Sequence, residues 1–218
     1  MSEQTNQYGP VATRVMFEND DVRVWEMDLK PGEVCGTHHH TLDYVLFILS
    51  GAKIGVESPG QKPSSLTAHA RGLYFIPAGG IESAHNVGTT RFHEAMFELK
   101  RPPRAGAPKA TYIGCDALAG REPEPGSVVI LDTDRVRVRE TTLAAGGETA
   151  MSNYRYDAAV YVAEGGKVKI VEAVGNGGER AREETLDAGQ VAWIPRGSSR
   201  KLVNLGTGRL RQVSVELK

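Results

Sequence analysis

The chain has six histidines, and all of them lie in its first half: His38, His39, His40, His69, His85 and His93. Residues i and i+2 of an extended strand face the same side, so His38 and His40 point together while His39 points away. Two imidazoles converging on one face are the beginning of a site for a divalent transition metal. A solvated loop cluster, or rings that are hydrogen-bonded separately, is the plainer reading of the same residues. No other chemistry is signalled. The chain lacks a GxSxG elbow, a GxxxxGK[ST] phosphate loop and any CxxC pair. Its two cysteines, Cys35 and Cys115, are far apart and read as reduced thiols.

The bulk composition narrows the partners. Lys and Arg total 26 against 27 Asp and Glu, a formal charge of −1 over 218 residues. That balance argues against nucleic acid or an anionic membrane as the main partner, because both need clustered basic side chains. No apolar run approaches the length of a membrane span. The N-terminal MSEQTNQYGPVATRV lacks the basic-then-apolar layout of a signal peptide, so the expected location is the cytoplasm. A small-molecule partner remains, and homo-oligomerisation is left open.

The elements that must position the histidines are short strands. Twenty-five glycines and 11 prolines are dispersed between β-rich runs, a pattern of many strands joined by tight turns. Val22–Leu29 alternates, Tyr44–Leu49 is apolar up to Gly51, Leu73–Ile76 is apolar up to Pro77, and Arg91–Leu99 closes the run. The whole pattern then occurs again. Shifted by 114 positions, Val22, Glu26, Gly32, Asp43 and Gly51 fall on Val136, Glu140, Gly146, Asp157 and Gly165. After a four-residue insertion, Pro77, Gly79, Asn86 and Gly88 fall on Pro195, Gly197, Asn204 and Gly206. The predicted organisation is one barrel over 1–100, a Pro/Gly/Ala-rich linker over 101–127 with a short turn at Asp116–Ala119, and a second barrel over 128–218. The second copy has no histidine: Ser152, Asn153 and Tyr154 stand where the first has His38, His39 and His40.

These residues carry a resemblance to a known family. Gly32-x5-His38-x-His40-x3-Tyr44-x6-Gly51 resembles the first cupin motif, G-x5-H-x-H-x3-4-E-x6-G. Gly72 to Asn86 resembles the second, G-x5-P-x-G-x2-H-x3-N, with one residue fewer before Pro77, and the second copy keeps Gly189, Pro195, Gly197 and Asn204. The resemblance covers everything but the linker and tail. It implies an all-β fold of two tandem jelly-roll barrels, a bicupin, with the metal motif kept only in the N-terminal copy.

The departures from the motifs decide which ligands are expected. Tyr44 occupies the place of the motif-one glutamate, on the face of the two histidines. Its neighbour Asp43 points the other way, and the persistence of the acid as Asp157 in a copy without histidines marks Asp43 as structural. Glu82 falls where the second motif has its histidine. His85 lies three residues later and reaches the same face only if a bulge intervenes. Glu82 would complete the two-His, one-carboxylate set of non-heme iron oxygenases; His85 would complete three histidines. Both stay as candidates, with Glu82 favoured by spacing. His69 reads as a surface residue and His93 as core or surface. Tyr44, Phe47, Tyr74, Phe75, Met96 and Phe97 could wall a pocket, and the same residue types are ordinary core. Trp25 and Trp193 carry the same ambiguity.

The resemblance implies a metal-dependent enzyme acting on a small oxygenated organic molecule, first of all a non-heme dioxygenase. Its metal would be one divalent ion, iron foremost, with Mn, Ni, Zn or Cu as alternatives, and Tyr44 would give a hydrogen bond or proton to substrate. Isomerase, hydrolase and decarboxylase chemistry remain alternatives. So does a non-catalytic binding or sensing bicupin, since the GxHxHxxDY string from Gly36 to Tyr44 is also similar to small cupins placed beside β-alanine breakdown.

Overall fold

A computed structural model describes residues 8–218, so the first seven residues of the N-terminal stretch examined for a leader lie outside the described residues. Among the described residues, no helix is long and apolar enough to cross a membrane. The fold is all-β, and the chain divides into two compact units, Met1–Arg121 and Glu122–Lys218.

The first unit holds β1 (Arg14–Glu18), β2 (Val22–Leu29), β3 (Val34–His39), β4 (Tyr44–Ser50), β5 (Lys53–Glu57), β6 (Ser64–Thr67), β7 (Leu73–Ile76), β8 (Ile81–Asn86), β9 (Phe92–Leu99) and β10 (Ile113–Cys115). One sheet runs β1-β2-β9-β4-β7-β10 and the other β3-β8-β5-β6. Side chains from both line one interior: Trp25, Met27 and Met96 of the first sheet share a buried cluster with Ile54 and Ala84 of the second. Burying such alternating apolar faces against one another is what holds a two-sheet β structure together.

The second unit holds β11 (Gly126–Asp132), β12 (Val136–Leu143), β13 (Ser152–Asn153), β14 (Asp157–Glu164), β15 (Gly166–Val174), β16 (Gly178–Leu186), β17 (Val191–Ile194), β18 (Ser199–Asn204) and β19 (Leu210–Leu217). Its sheets run β11-β12-β19-β14-β17 and β13-β18-β15-β16, the order of the first unit without a counterpart of β10. Irregularities repeat too: register shifts at Ile48/Ser50 and Val162/Glu164 occupy equivalent places.

The repeated polar residues explain themselves as turn fasteners. The Asn86 amide donates to Leu29 O and Thr90 O, both at 2.8 Å, and its oxygen accepts from Gly88 N at 3.0 Å. Asn204 does the same with Leu143 O, Gly208 O and Gly206 N. Asp43 accepts from Ala78 N at 3.0 Å, and Asp157 from Arg196 N at 2.9 Å. None of these duties needs a metal, so they recur in a copy that has no histidine.

The expected linker over 101–127 is corrected in extent. Ile113–Cys115 pairs with β7 as an edge strand, Gly120 N donates to Ala70 O, and Arg71 donates to Arg121 O at 3.0 Å. The Pro/Gly-rich composition hid a short β-forming run, Tyr112-Ile113-Gly114-Cys115, that finds an open edge. The other end is displaced as well, since β11 begins at Gly126. The run Gly175–Gly178 is the expected hairpin tip between β15 and β16.

Gly51 and Gly165 sit where another chain segment passes close by. A Cβ there would collide with the carbonyl oxygens of Ala68 and Leu186 respectively. Gly165→Ala is expected to destabilise the protein by about 1–3 kcal/mol through that overlap. The midpoint of urea unfolding checks it, with Gly175→Ala, at a glycine with open space around it, as the control.

Candidate metal centre

The pairing of β3 with β8 positions the ligands. Residues Cys35↔Ala84 and His38↔Glu82 are partners, with a register shift between them. The extra residue therefore lies in β3, and β8 keeps strict alternation. Glu82 and Ala84 face the interior cavity, and His85 is exposed on the other side. His85 as third ligand is corrected by this geometry: the bulge that would have brought it inward lies on the partner strand. His40, just past β3, is pinned by its backbone, donating to Gly80 O at 2.8 Å and accepting from Gly79 N at 2.7 Å. Gly79 takes φ +115, which only glycine adopts readily.

Ligand-bearing atoms of His38, His40 and Glu82 all lie within 4.8 Å of one another. Both histidines are buried, with His38 1% and His40 3% exposed. His38 Nδ1 lies 2.8 Å from Gly36 O, and a carbonyl can only accept, so Nδ1 carries the proton and Nε2 of the neutral ring has a free lone pair. Burial, the largest cause, lowers the His38 pKa and favours that neutral ring. His40 Nε2 stands 3.6 Å from Glu82 Oε1, beyond hydrogen-bond range, and His40 Nδ1 is buried with no partner. The His40 ring beside it is the largest influence on Glu82 and holds its carboxyl below the usual carboxylate range, against the cost of burial.

Two imidazoles and one ionised carboxylate, close but not bonded to each other, fit a divalent transition ion. His38, His40 and Glu82 thus form a possible metal site. Cys35, beside His38 at 3.7 Å, stays a thiol: burial, then the charges of Glu94 and Glu82, push it up to about 11. Asp43 is engaged at the Ala78 amide, and the exposed His69 lines a separate surface hollow. His93 is claimed by Glu26, with Nε2 2.7 Å from Oε1; the second unit makes the same link as Arg211 to Glu140 at 2.8 Å.

The three residues open on a cavity of about 520 Å³, a size that suits a small organic molecule. Tyr44 lines it and packs flat on His40, with ring centroids 4.3 Å apart at 16°. Burial chiefly, with the surrounding carboxylates, pushes the Tyr44 hydroxyl far above its usual range, so it keeps its proton. Tyr74 and Met96 also line the cavity, whereas Phe47, Phe75 and Phe97 are buried on the opposite side of their strands. Trp25 is buried, and its Nε1 donates to Glu98 Oε2 at 2.6 Å.

Two lining residues were not foreseen. Glu94, on β9 between Phe92 and Met96, is a buried carboxyl in an apolar wall. Burial first, and then the charge of Glu82, push it up to about 8. The signal was there in the alternation Phe92, Glu94, Met96, an acid on a face otherwise apolar. Tyr112, from the stretch read as linker, lines the cavity and stacks on Tyr74 with centroids 6.4 Å apart.

Comparison with solved structures places the architecture. A mutant of Bacillus subtilis oxalate decarboxylase OxdC matches with a TM-score of 0.65 and 13% identity, over 92% of this chain and 70% of that one. AerE from Microcystis aeruginosa matches with a TM-score of 0.64 and 11% identity, over 93% and 90%. The vicilin from Solanum melongena matches with a TM-score of 0.66 and 14% identity, over 90% and 74%. At these identities the likeness shows the fold alone: two tandem cupin jelly-roll barrels. No protein-family model matches the chain. Among curated proteins, the beta-alanine degradation protein BauB of Pseudomonas aeruginosa is 33% identical over 84 residues, 38% of this chain and 83% of that protein. The chain belongs to the family of BauB.

Substituting His38, His40 or Glu82 by Ala is expected to weaken Co(II) or Zn(II) binding by at least about a hundredfold, and His85→Ala to leave it unchanged. Isothermal titration calorimetry on the folded variants checks this. A second expectation concerns pH in the metal-free protein. The folded pKa of Glu94 lies above the ordinary 4.5, so its contribution to stability is full below about 4.5 and lost as pH rises through about 8. Glu94→Gln should flatten that decline and raise stability at pH 9 by an amount on the order of a few kcal/mol, read from urea unfolding.

Proposed function

We propose that the N-terminal barrel is a metal-dependent enzyme site for a small oxygenated organic molecule, and that its reaction is an O2-dependent oxidation of the dioxygenase type. The observation that carries this reading is the donor set itself: two imidazoles and one carboxylate in the wall of a largely apolar cavity. A divalent ion held by His38, His40 and Glu82 would supply Lewis-acid polarisation and, as iron, O2 activation; Mn, Ni, Zn or Cu would fit the same donors.

The chain's own residues supply the rest. The Tyr44 hydroxyl, protonated and buried, donates a hydrogen bond to a substrate oxygen, while its ring fixes the plane of His40. Glu94, neutral up to about pH 8, can hold or return a proton inside the cavity. Met27, Ile54, Phe92 and Met96 keep water out and favour a substrate with an apolar body behind its oxygen head, such as a diketone, a phenol or an acid. The name of the family relative connects that protein with β-alanine degradation. It supports short acids and their oxo derivatives as members of the test panel.

Anaerobic purification followed by metal analysis and O2 electrode assays across keto acids, diketones and catechols tests the proposal. The expected result is about one ion per chain after Fe(II) loading and O2 uptake that His40→Ala abolishes. Fewer than about 0.1 ion per chain, with no reconstitution by Fe, Mn, Ni or Zn, would remove the metal reading. A loaded protein that consumes no O2 but converts substrate would move the chemistry to decarboxylation, isomerisation or hydrolysis. Ligand-induced thermal shifts without turnover would leave a binding barrel.

A further inference from the structure

The second barrel has a cavity at the same place as the first, and its chemistry is inverted. Ser152 pairs with Arg200 as His38 pairs with Glu82. Tyr154 is pinned through Ser198 O and Gly197 N as His40 is through Gly80 O and Gly79 N. Gln212 faces Thr141 across its ladder as Glu94 faces Met27. The metal ligands and the buried acid of one barrel are thus replaced, rung for rung, by hydroxyls, a guanidinium and an amide.

The cavity beside them is about 130 Å³, with Val160, Val162, Ala192 and Trp193 in its walls. That is the room of roughly four waters at about 30 Å³ each, enough for a molecule of four or five heavy atoms. Two arginines line it. Arg182 is committed, at 2.8 Å to Glu172 and 3.5 Å to Glu184. Arg200 is half-buried and, among the described residues, its guanidinium makes no hydrogen bond or ion pair. Glu172 stands opposite Arg200 in the β15–β18 ladder and feels its charge, but its carboxylate is bonded to Arg182. Gln212 is 7% exposed and its amide has no partner among the described residues; it lines this cavity and the small cleft that Tyr154, Ser152 and Arg200 share. The Gln212 amide and the Arg200 guanidinium line one void, and each is a donor to an incoming oxygen.

We propose that the C-terminal barrel binds a small carboxylate of two or three carbons, its oxygens on the Arg200 guanidinium with the Gln212 amide as a neutral donor. The guanidinium fork matches a carboxylate in a bidentate way. The walls disfavour phosphate, because the carboxylates of Glu172 and Glu184 offset the two guanidiniums and leave no net positive charge for a dianion. This site does not depend on metal in the first barrel.

The test is titration of the full-length protein with sodium propionate at constant ionic strength, followed by ¹⁵N-edited spectra that include the arginine Nε–H signals. The expected result is saturable shifts in β13, β17, β18 and β19, with affinity in the range of about 1–10 mM. Arg200→Met should weaken it about tenfold or more, and Gln212→Glu, which restores an acid, should weaken it also. Arg200→Lys should retain part of it. The double variant His38→Ala, His40→Ala should bind propionate as the wild type does, which separates this site from the first barrel. If Arg200→Met fails to fold by circular dichroism, Gln212→Glu carries the test. No saturable shift up to about 100 mM, shifts confined to the first barrel, indifference to both variants, or tighter binding of inorganic phosphate would overturn the proposal.

Discussion

One rung of one ladder decides what the first barrel can do. The register shift between Cys35 and His38 puts His38 opposite Glu82, and every ligand distance follows from that pairing. Had the extra residue fallen in β8, the strand beyond it would have turned over, carrying His85 in and Ala84 out. The backbone turn at Gly79 then holds His40 against the same rung. The hydrogen bond from His38 Nδ1 to Gly36 O completes the arrangement by fixing which nitrogen is free. Local backbone geometry, more than any single side chain, brings these three donors together.

Around that rung the barrel sets two carboxyls to opposite tasks. Glu82, beside an imidazole, is held ionised, whereas Glu94, surrounded by Met27, Phe92 and Met96, is held protonated. The charge of the first contributes to the neutrality of the second. A cavity with one fixed anion and one carboxylic acid can bind a cation and still move a proton, the division of labour by which environment assigns acid and base roles. Tyr44 joins the two functions, since its ring restrains His40 and its hydroxyl stays a donor.

Much of this was legible in the residues. The doubled pattern and strands such as Val22–Leu29 and Leu73–Ile76 follow from alternation and glycine–proline punctuation, which local sterics impose. His38 with His40 follows from strand parity, and Glu82 from its distance to Gly79. Parity cannot be read across a bulge, however, so spacing favours Glu82 but leaves His85 open without the register of β3 against β8. The same limit applies to the aromatics: Tyr44 and Tyr74 face the cavity while Phe47, Phe75 and Phe97 face the opposite way. Glu94 carries no motif, and its meaning comes from desolvation, a property of the assembled wall. Tyr112 escaped because the surrounding stretch 101–127 is rich in proline and glycine, and because an edge strand of three residues has almost no periodicity.

The two halves also show how loosely a barrel's frame is tied to the sign of what it holds. Asn86 and Asn204, Asp43 and Asp157, and Gly51 and Gly165 perform identical mechanical work on either side of the duplication. Between those fasteners the lining is interchangeable, so Glu82 in one copy can stand where Arg200 stands in the other without altering a strand. A receptor assembled this way can reverse polarity by exchanging a few inward residues, and gene doubling lets both polarities persist in a single polypeptide.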